Sequence, residues 1–270
     1  MNQTMPAVFF GHGSPMVALL DNDTSRSWAA IAAALPRPRV ILAISAHWET
    51  SVTAVTAMAR PRTIHDFGAS FPKPLFDMQY PAPGDPALAR RVAELLAPTA
   101  VALDDGQWGL DHGTWSVLVH AYPRADIPVV QLGLDVNLTP EQRVDIGRRL
   151  SPLRDEGVLI LGTGNMVHNL GAMNWSSADC DAFDWAARFN GEMRKAILDD
   201  EPQRAIGFAS LGRDAQMAAP TPEHFWPMLY VLGARRPTDR VRLFNDRIEH
   251  GSLGMTSFIF EDAEAARQAA

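Results

Sequence analysis

The sequence predicts a single α/β domain over residues 1–270, built on a mainly parallel central sheet with helices on both faces. Three observations carry this prediction. Short apolar runs rich in Val, Ile, Leu and Phe are each followed by glycine or polar residues. Stretches with helical spacing separate those runs. No internal repeat, low-complexity segment or linker interrupts the alternation. Continuously apolar strands alternating with helices are the pattern of a sheet buried on both sides.

Taken in order, residues 7–10, 40–45, 127–134 and 158–161 read as buried strands, with 241–244 and 255–260 as weaker candidates. Residues 25–34, 86–96, 114–122, 140–150 and 182–198 carry helical spacing. Residues 61–86 depart from this rhythm, with six prolines and Gly68 and Gly84 as punctuation. Phe67, Phe71, Phe76 and Tyr80 need somewhere to pack, which predicts an ordered excursion. Long loops in compact domains are often functional.

Bulk composition excludes several classes. Hydrophobic residues make up 47% and charged residues 20% of the chain, an ordinary globular balance. The net charge is −7, with acids and bases mixed and no basic stripe, so no nucleic-acid partner is expected. Cys180 is the single cysteine, which precludes an intramolecular disulfide and suits a reducing compartment. No apolar run approaches the roughly 20 residues of a membrane span, and residues 1–10 lack the features of a signal peptide. A soluble cytoplasmic protein without a membrane partner is expected. The sequence carries no signal for oligomeric state.

The histidines carry the chemistry. Strand 7–10 runs into Gly11-His12-Gly13-Ser14-Pro15, strand 40–45 into Ala46-His47-Trp48, and strand 158–161 into Gly162-Thr163-Gly164-Asn165 and on to His168. His112 lies in Leu110-Asp111-His112-Gly113-Thr114-Trp115, and His224 in a proline-rich turn before Phe225-Trp226. In open α/β sheets ligands bind beyond the carboxyl ends of the strands, where histidines distant in sequence can converge. Any one of them is ordinarily a hydrogen-bonding loop residue; the repeated position points to a metal site. Imidazole suits Fe, Zn, Cu and Ni, and open-sided His sites serve non-haem Fe(II) oxygen chemistry. Spacing alone does not name a reaction. Competing motifs are weak: there is no G-x-S-x-G, no H-E-x-x-H and no C-x-x-C. Gly162-Thr163-Gly164 lacks the third glycine of a dinucleotide loop, Val167 standing there.

Several segments together resemble the 4,5-DOPA extradiol dioxygenase family, within the class III extradiol ring-cleavage superfamily. They are Gly11 to Met16, Ser45-Ala46-His47-Trp48, Thr63-Ile64-His65-Asp66-Phe67, Tyr80-Pro81-Ala82-Pro83-Gly84, Leu110 to Trp115, Gly162 to Asn165 with His168-Asn169-Leu170, and Glu223-His224-Phe225. They occur in the family's order and extend over most of the chain. The resemblance implies that His12, His47 and His224 ligate a metal and that His168 is an acid/base facing the substrate, able to approach as a fourth ligand when zinc is bound. Some superfamily members supply a glutamate as third ligand, so the adjacent Glu223 and His224 allow a slip of one residue. Glu-His-Phe-Trp matches the DOPA-type pattern and favours His224, with Glu223 supporting it or capping the next helix. Gly68-Ala69-Ser70-Phe71-Pro72 replaces a more compact glycine-rich turn, which bears on the shape of the lid.

The expected cofactor is Fe(II), with Zn(II) able to occupy the site in purified protein because it ranks above Fe(II) for nitrogen donors. The expected partners are a catechol-type small molecule and O₂. His112 is the candidate for hydrogen-bonding dioxygen or a substrate oxygen. His65 and Tyr80 are candidates to line the ring pocket, and Trp48 and Trp226, with Trp115, to wall it; core packing would account for the tryptophans equally well. An arginine is expected to meet a substrate carboxylate, with nothing in the pattern to select it. His120 and His250 have no motif around them. Two other readings remain open at this point: a zinc hydrolase using the same site, and a non-catalytic metal-binding protein.

Overall fold

The computed structural model describes residues 4–263. Its strands in chain order are β1 (Ala7–Gly11), β2 (Val40–Thr50), β3 (Ala54–Thr56), β4 (Ala102–Asp104), β5 (Val129–Asp135), β6 (Val158–Gly164), β7 (Asp239–Phe244), β8 (Ile248–Glu249), β9 (Leu253–Gly254) and β10 (Ser257–Asp262). Eight of them form one sheet in the order β4-β3-β5-β2-β6-β1-β10-β7, and β8 and β9 pair as a separate hairpin. The four central strands β5-β2-β6-β1 are mutually parallel. Antiparallel pairing enters only toward the edges, between β3 and β5 and through β10 and β7.

Both faces are covered, because successive side chains of a strand point to opposite sides. Ala7 and Phe9, Leu42 and Ile44, and Val158 and Ile160 join one core. That core is covered by α3 (Pro86–Leu95), α5 (Pro140–Leu150), α6 (Asp184–Leu198) and α9 (Trp226–Gly233). Val8 and Phe10, Ile41 and Ala43, and Leu159 and Leu161 join the other, beneath α1 (Asp23–Ala34) and α4 (His112–Ala121). Trp28 of α1 and Trp115 of α4 are fully buried there, each stabilising the packing by roughly 3 kcal/mol. Shorter helices α2 (Lys73–Asp77), α7 (Pro202–Ile206) and α8 (Arg213–Ala218) sit in the connections.

Two departures from the sequence reading matter for the site. β2 does not stop at Ser45: it continues to Thr50 and bulges between Ile44 and Glu49. Over that stretch β2 advances five residues while β5 advances only from Leu132 to Leu134. Such a bulge re-aims side chains, and His47 lies within it. Helix α4 begins at His112 rather than 114, because the Asp111 carboxylate accepts from the Thr114 N–H at 3.1 Å and caps the helix.

Residues 61–86 form an ordered strap. Thr63 bridges Leu110, the Trp115 indole N–H donates to the Ile64 carbonyl at 2.7 Å, and Phe67 and Phe71 pack against the α1/α4 core. The elements missed from sequence include β3 and β4, three residues each, the short helices α2, α7 and α8, the two-residue strands β8 and β9, and α9, whose uniformly apolar face has no helical period to read because all of it is buried.

Candidate metal centre

The strand order β2-β6-β1 sets three carboxyl ends side by side. His12 follows β1 directly, His47 sits in the β2 bulge, and the segment carrying His224 crosses the end of β6. That crossing is close: the Asn165 N–H donates to the His224 carbonyl at 2.8 Å, and a Cβ on Gly164 would come within 2.2 Å of the same oxygen. Only glycine fits there. Gly113 plays the same part on the other side, where a Cβ would lie 2.7 Å from the His47 ring. The result is that His12, His47 and His224 each bring one ligand-capable atom within 4.8 Å of the others.

The oxygens behind the rings orient them. Thr163 Oγ donates to the Gly113 carbonyl at 2.8 Å, so toward the His12 Nδ1 at 3.0 Å it acts as acceptor. Asp66 Oδ2 lies 3.4 Å from His47 Nδ1, and Glu223 Oε1 lies 3.0 Å from His224 Nδ1. Each Nδ1 therefore carries the proton, and each Nε2 is left as a lone pair. The Nε2 atoms of His12 and His47 are 3.2 Å apart. Two lone pairs at that distance repel unless a cation lies between them, and burial makes a shared proton costly. Nitrogens about 2.1 Å from one metal ion lie roughly 3.0–3.4 Å apart, so the spacing suits a metal. Burial, then the mutual repulsion of the imidazoles, holds all three well below the ordinary histidine range; Asp66 opposes this at His47. Three neutral imidazoles, each with an oxygen behind its Nδ1, are a donor set fit for a metal.

His168 and His112 flank this trio. The His168 ring stacks on His224 with centroids 3.5 Å apart and planes 6° from parallel, while its backbone is tied to Ala218 and bridged to Leu253. Burial pushes its pKa down to about 4, with Glu223 opposing and His112 adding to the fall. The His112 ring centroid lies 3.9 Å from that of His47. The Asp66 carboxylate receives both the His112 N–H, at 2.8 Å, and its Nδ1, at 3.0 Å. Burial pushes the Asp66 carboxyl up, but the hydrogen bond from His112 and the nearby histidines outweigh it, and the net direction is down. Beneath them Asp111 accepts from Ser45 Oγ at 2.7 Å and from Gln131, and Ser45 Oγ accepts from the His47 N–H. Burial raises Asp111 to about 6.

His12, His47, His112, His168 and His224 all line one cavity of about 810 Å³, closed on one side by Phe67 and Phe71. The four residues expected around the ring are placed elsewhere, and the expectation is corrected. Trp48 is buried and stacks on Trp108 at 5.8 Å, turned away by the strand's alternation from its neighbour His47. Trp226 faces the opposite core, where the Arg143 guanidinium lies 3.8 Å over its ring. Tyr80 is buried with its hydroxyl donating to the Tyr122 carbonyl at 2.9 Å. His65 is a layer behind, against Phe67 and Trp115, with Nε2 donating to the Met78 carbonyl. Along the extended segment 63–67 it is the next residue, Asp66, that reaches the site. Sequence reasoning also passed over Thr163, Arg247, Glu249 and His250; no motif marks the last three, which line the cavity from the hairpin.

Fold and site define a class: an α/β enzyme with a histidine cluster able to hold a metal at the carboxyl end of its sheet. Residues 6–259 match the model of the catalytic LigB subunit of aromatic ring-opening dioxygenases, and the chain belongs to that family. It is 46% identical over 255 residues to a protein of Escherichia coli (strain K12) named 4,5-DOPA dioxygenase extradiol, spanning 94% of this chain and 93% of that one. It is 35% identical to a protein of the same name from Beta vulgaris, over 93% and 95% of the two chains. A crystal structure of an uncharacterized Escherichia coli K12 protein is similar with a TM-score of 0.82 and 41% identity, over 94% of this chain and 99% of that one. The chain is an oxidoreductase, an extradiol dioxygenase, which sets aside the hydrolase and storage readings. Among the described residues no helix is long and apolar enough to cross a membrane.

Proposed function

We propose that this enzyme, with residues 1–270 as one catalytic domain, opens DOPA-like catechols by 4,5-extradiol cleavage, with Fe(II) held by His12, His47 and His224 and with O₂ as co-substrate. The observation that carries the proposal is the convergence of one ring nitrogen from each of His12, His47 and His224, with an oxygen facing each Nδ1, inside a cavity that also presents two further histidines. The names of the relatives support the substrate class. Bound there, Fe(II) would supply the Lewis-acid and one-electron chemistry that couples a catechol to O₂.

The chain's own residues supply the rest. His168 is neutral at pH 7, since burial depresses its pKa to about 4, and it accepts a phenolic proton as the catechol binds and returns one as the ring opens. His112, its Nδ1–H held by Asp66, presents Nε2 to the cavity and positions a substrate or dioxygen oxygen. Phe67, Phe71 and Met173 exclude water around the ring. The purified protein is expected to carry some Zn(II) at the same ligands.

The test is O₂ uptake with simultaneous visible spectra, on anaerobically Fe(II)-loaded protein given DOPA and a panel of catechols, beside His168→Ala. One O₂ consumed per yellow ring-opened product, much slowed in the variant, is the expected result. No uptake with any catechol at verified iron occupancy would overturn the reading.

A further inference from the structure

The cavity extends beyond the histidines. Its outer wall is built by the β8–β9 hairpin and the start of α1, and Arg247 is the one guanidinium on its lining among the described residues. Arg247 Nε donates to Glu249 Oε1 at 3.1 Å and its Nη2 to Thr24 Oγ, while Thr24 Oγ donates to the same Glu249 oxygen at 3.4 Å. This closed triangle fixes both side chains and leaves Arg247 Nη1 and Glu249 Oε2 without a hydrogen-bond partner among the described residues. Both are partly exposed, 39% and 24% of their side chains. Exposed pairs of this kind contribute little to stability, so holding the hairpin together does not account for them.

The hairpin also fixes where these charges stand. Leu253 pairs with Glu249 across the hairpin and bridges His168 on its other side. Two strand-to-strand steps set Glu249 about 10 Å from His168, along one cavity wall whose other members include Leu170, Met173 and Met255. His250 and Gly251 form the turn with positive φ of 52° and 75°, and the His250 Nδ1–H donates to the Asn174 carbonyl at 2.9 Å, which ties the hairpin to the segment after His168.

A cation and a carboxylate side by side, each with one unused atom, complement a zwitterion: guanidinium for a carboxylate, carboxylate for an ammonium. We infer that Arg247 and Glu249 bind the α-carboxylate and α-ammonium of an amino acid whose catechol ring lies at the histidines, so that the enzyme selects catechol amino acids over catechols lacking either charge. This inference rests on the dioxygenase reading above and assigns the specificity to two residues of the hairpin.

The test compares kcat/KM of the iron-loaded enzyme for DOPA, for dopamine, which lacks the carboxylate, and for 3,4-dihydroxyphenylpropanoate, which lacks the ammonium. Arg247→Gln should lower the DOPA-to-dopamine ratio about tenfold or more, mainly through KM, and Glu249→Gln the DOPA-to-dihydroxyphenylpropanoate ratio similarly, as expected for charged hydrogen bonds. Arg247→Lys keeps the charge and should restore part of the ratio, and thermal unfolding shows that each variant is folded. Equal losses on all three substrates, or a wild-type enzyme without preference among them, would overturn the assignment. A wild-type enzyme that opens none of the three, yet opens another catechol, overturns the DOPA-like substrate reading on which the assignment rests.

Discussion

Two buried polar clusters occupy opposite ends of the same strands, and they are built on opposite principles. At the amino ends of β1 and β6, Arg154 and Asp239 are both fully buried, with Nη1–Oδ2 at 2.6 Å and Nη2–Oδ1 at 2.8 Å. Arg154 also donates to the carbonyls of Met5, Ala234 and Phe260. Every nitrogen of that guanidinium is satisfied. At the carboxyl ends, oxygens face Nδ1 of His12, His47 and His224, within hydrogen-bond reach at His12 and His224 and 3.4 Å away at His47, and leave Nε2 of each as a lone pair. A closed cluster locks a fold; one closed on a single side waits for a ligand. What a buried polar group lacks says more about its purpose than what it has.

The sharpest way to break this contrast is to remove one member from each end. His12→Ala should lower turnover about a thousandfold or more, through loss of the several kcal/mol that a metal contributes, with zinc binding by calorimetry lost in parallel. The metal-free variant should change in stability by no more than about 1 kcal/mol, since it sheds a buried ring whose lone pair opposes that of His47. Arg154→Met should do the reverse. It leaves Asp239 charged and buried without its cation, with the Arg236 N–H as a remaining donor, costing about 3–5 kcal/mol in denaturant unfolding, while the folded fraction binds metal with unchanged affinity. A metal defect in Arg154→Met at full stability would erase the distinction between the two ends.

Asp66→Asn probes the support of the site at smaller scale. Oδ2 faces Nδ1 of both His47 and His112, and Oδ1 accepts from the His112 backbone N–H; the amide keeps one acceptor and turns a donor either toward the two rings or toward that N–H. Metal affinity should fall about 10–100-fold, measured as zinc binding, with the fold intact. Unchanged affinity would mean that the rings are held by packing alone.

Much of this was legible in the sequence, and the misses have physical causes. The parallel centre showed because its strands are buried on both faces and read as unbroken apolar runs, as in Val158 to Leu161. The short edge strands β3 and β4 have too few residues to show any period. Histidines at strand ends stood out by type and place, and His12, His47, His112, His168 and His224 do meet in one cavity. The ring-pocket residues were misplaced because an aromatic near a motif carries no sign of which way it points: Trp48 is one residue from His47 and faces the other side. Asp66 and Thr163 act through one or two oxygens each, and Arg247 reaches the cavity through a hairpin far along the chain, so no local pattern reports them.

The smallest effect concerns protons at His168. An ordinary imidazole near 6.5 would be only about a quarter neutral at pH 6. Burial, opposed by Glu223 and aided by His112, brings His168 down to about 4, so that at pH 6 it is almost wholly neutral and fit to act as a base. A base works only while neutral, so kcat/KM should stay flat as pH falls from 7 to about 5 and decline toward 4, whereas an unshifted histidine would lose about three quarters of its base form by pH 6. The sign for stability follows from the same shift. The unfolded chain takes up this proton below about 6.5 and the folded chain only near 4, so the stabilisation present above 6.5 is lost as pH falls through that window. A cation at the neighbouring site would push His168 further down, in the same direction. The check is a pH profile of kcat/KM with metal occupancy verified at each point, beside imidazole titration by NMR in zinc-loaded protein. An acid limb between 6 and 7 that tracks the His168 resonance would show the ring open to water, and the proton would then be taken at ordinary histidine pH.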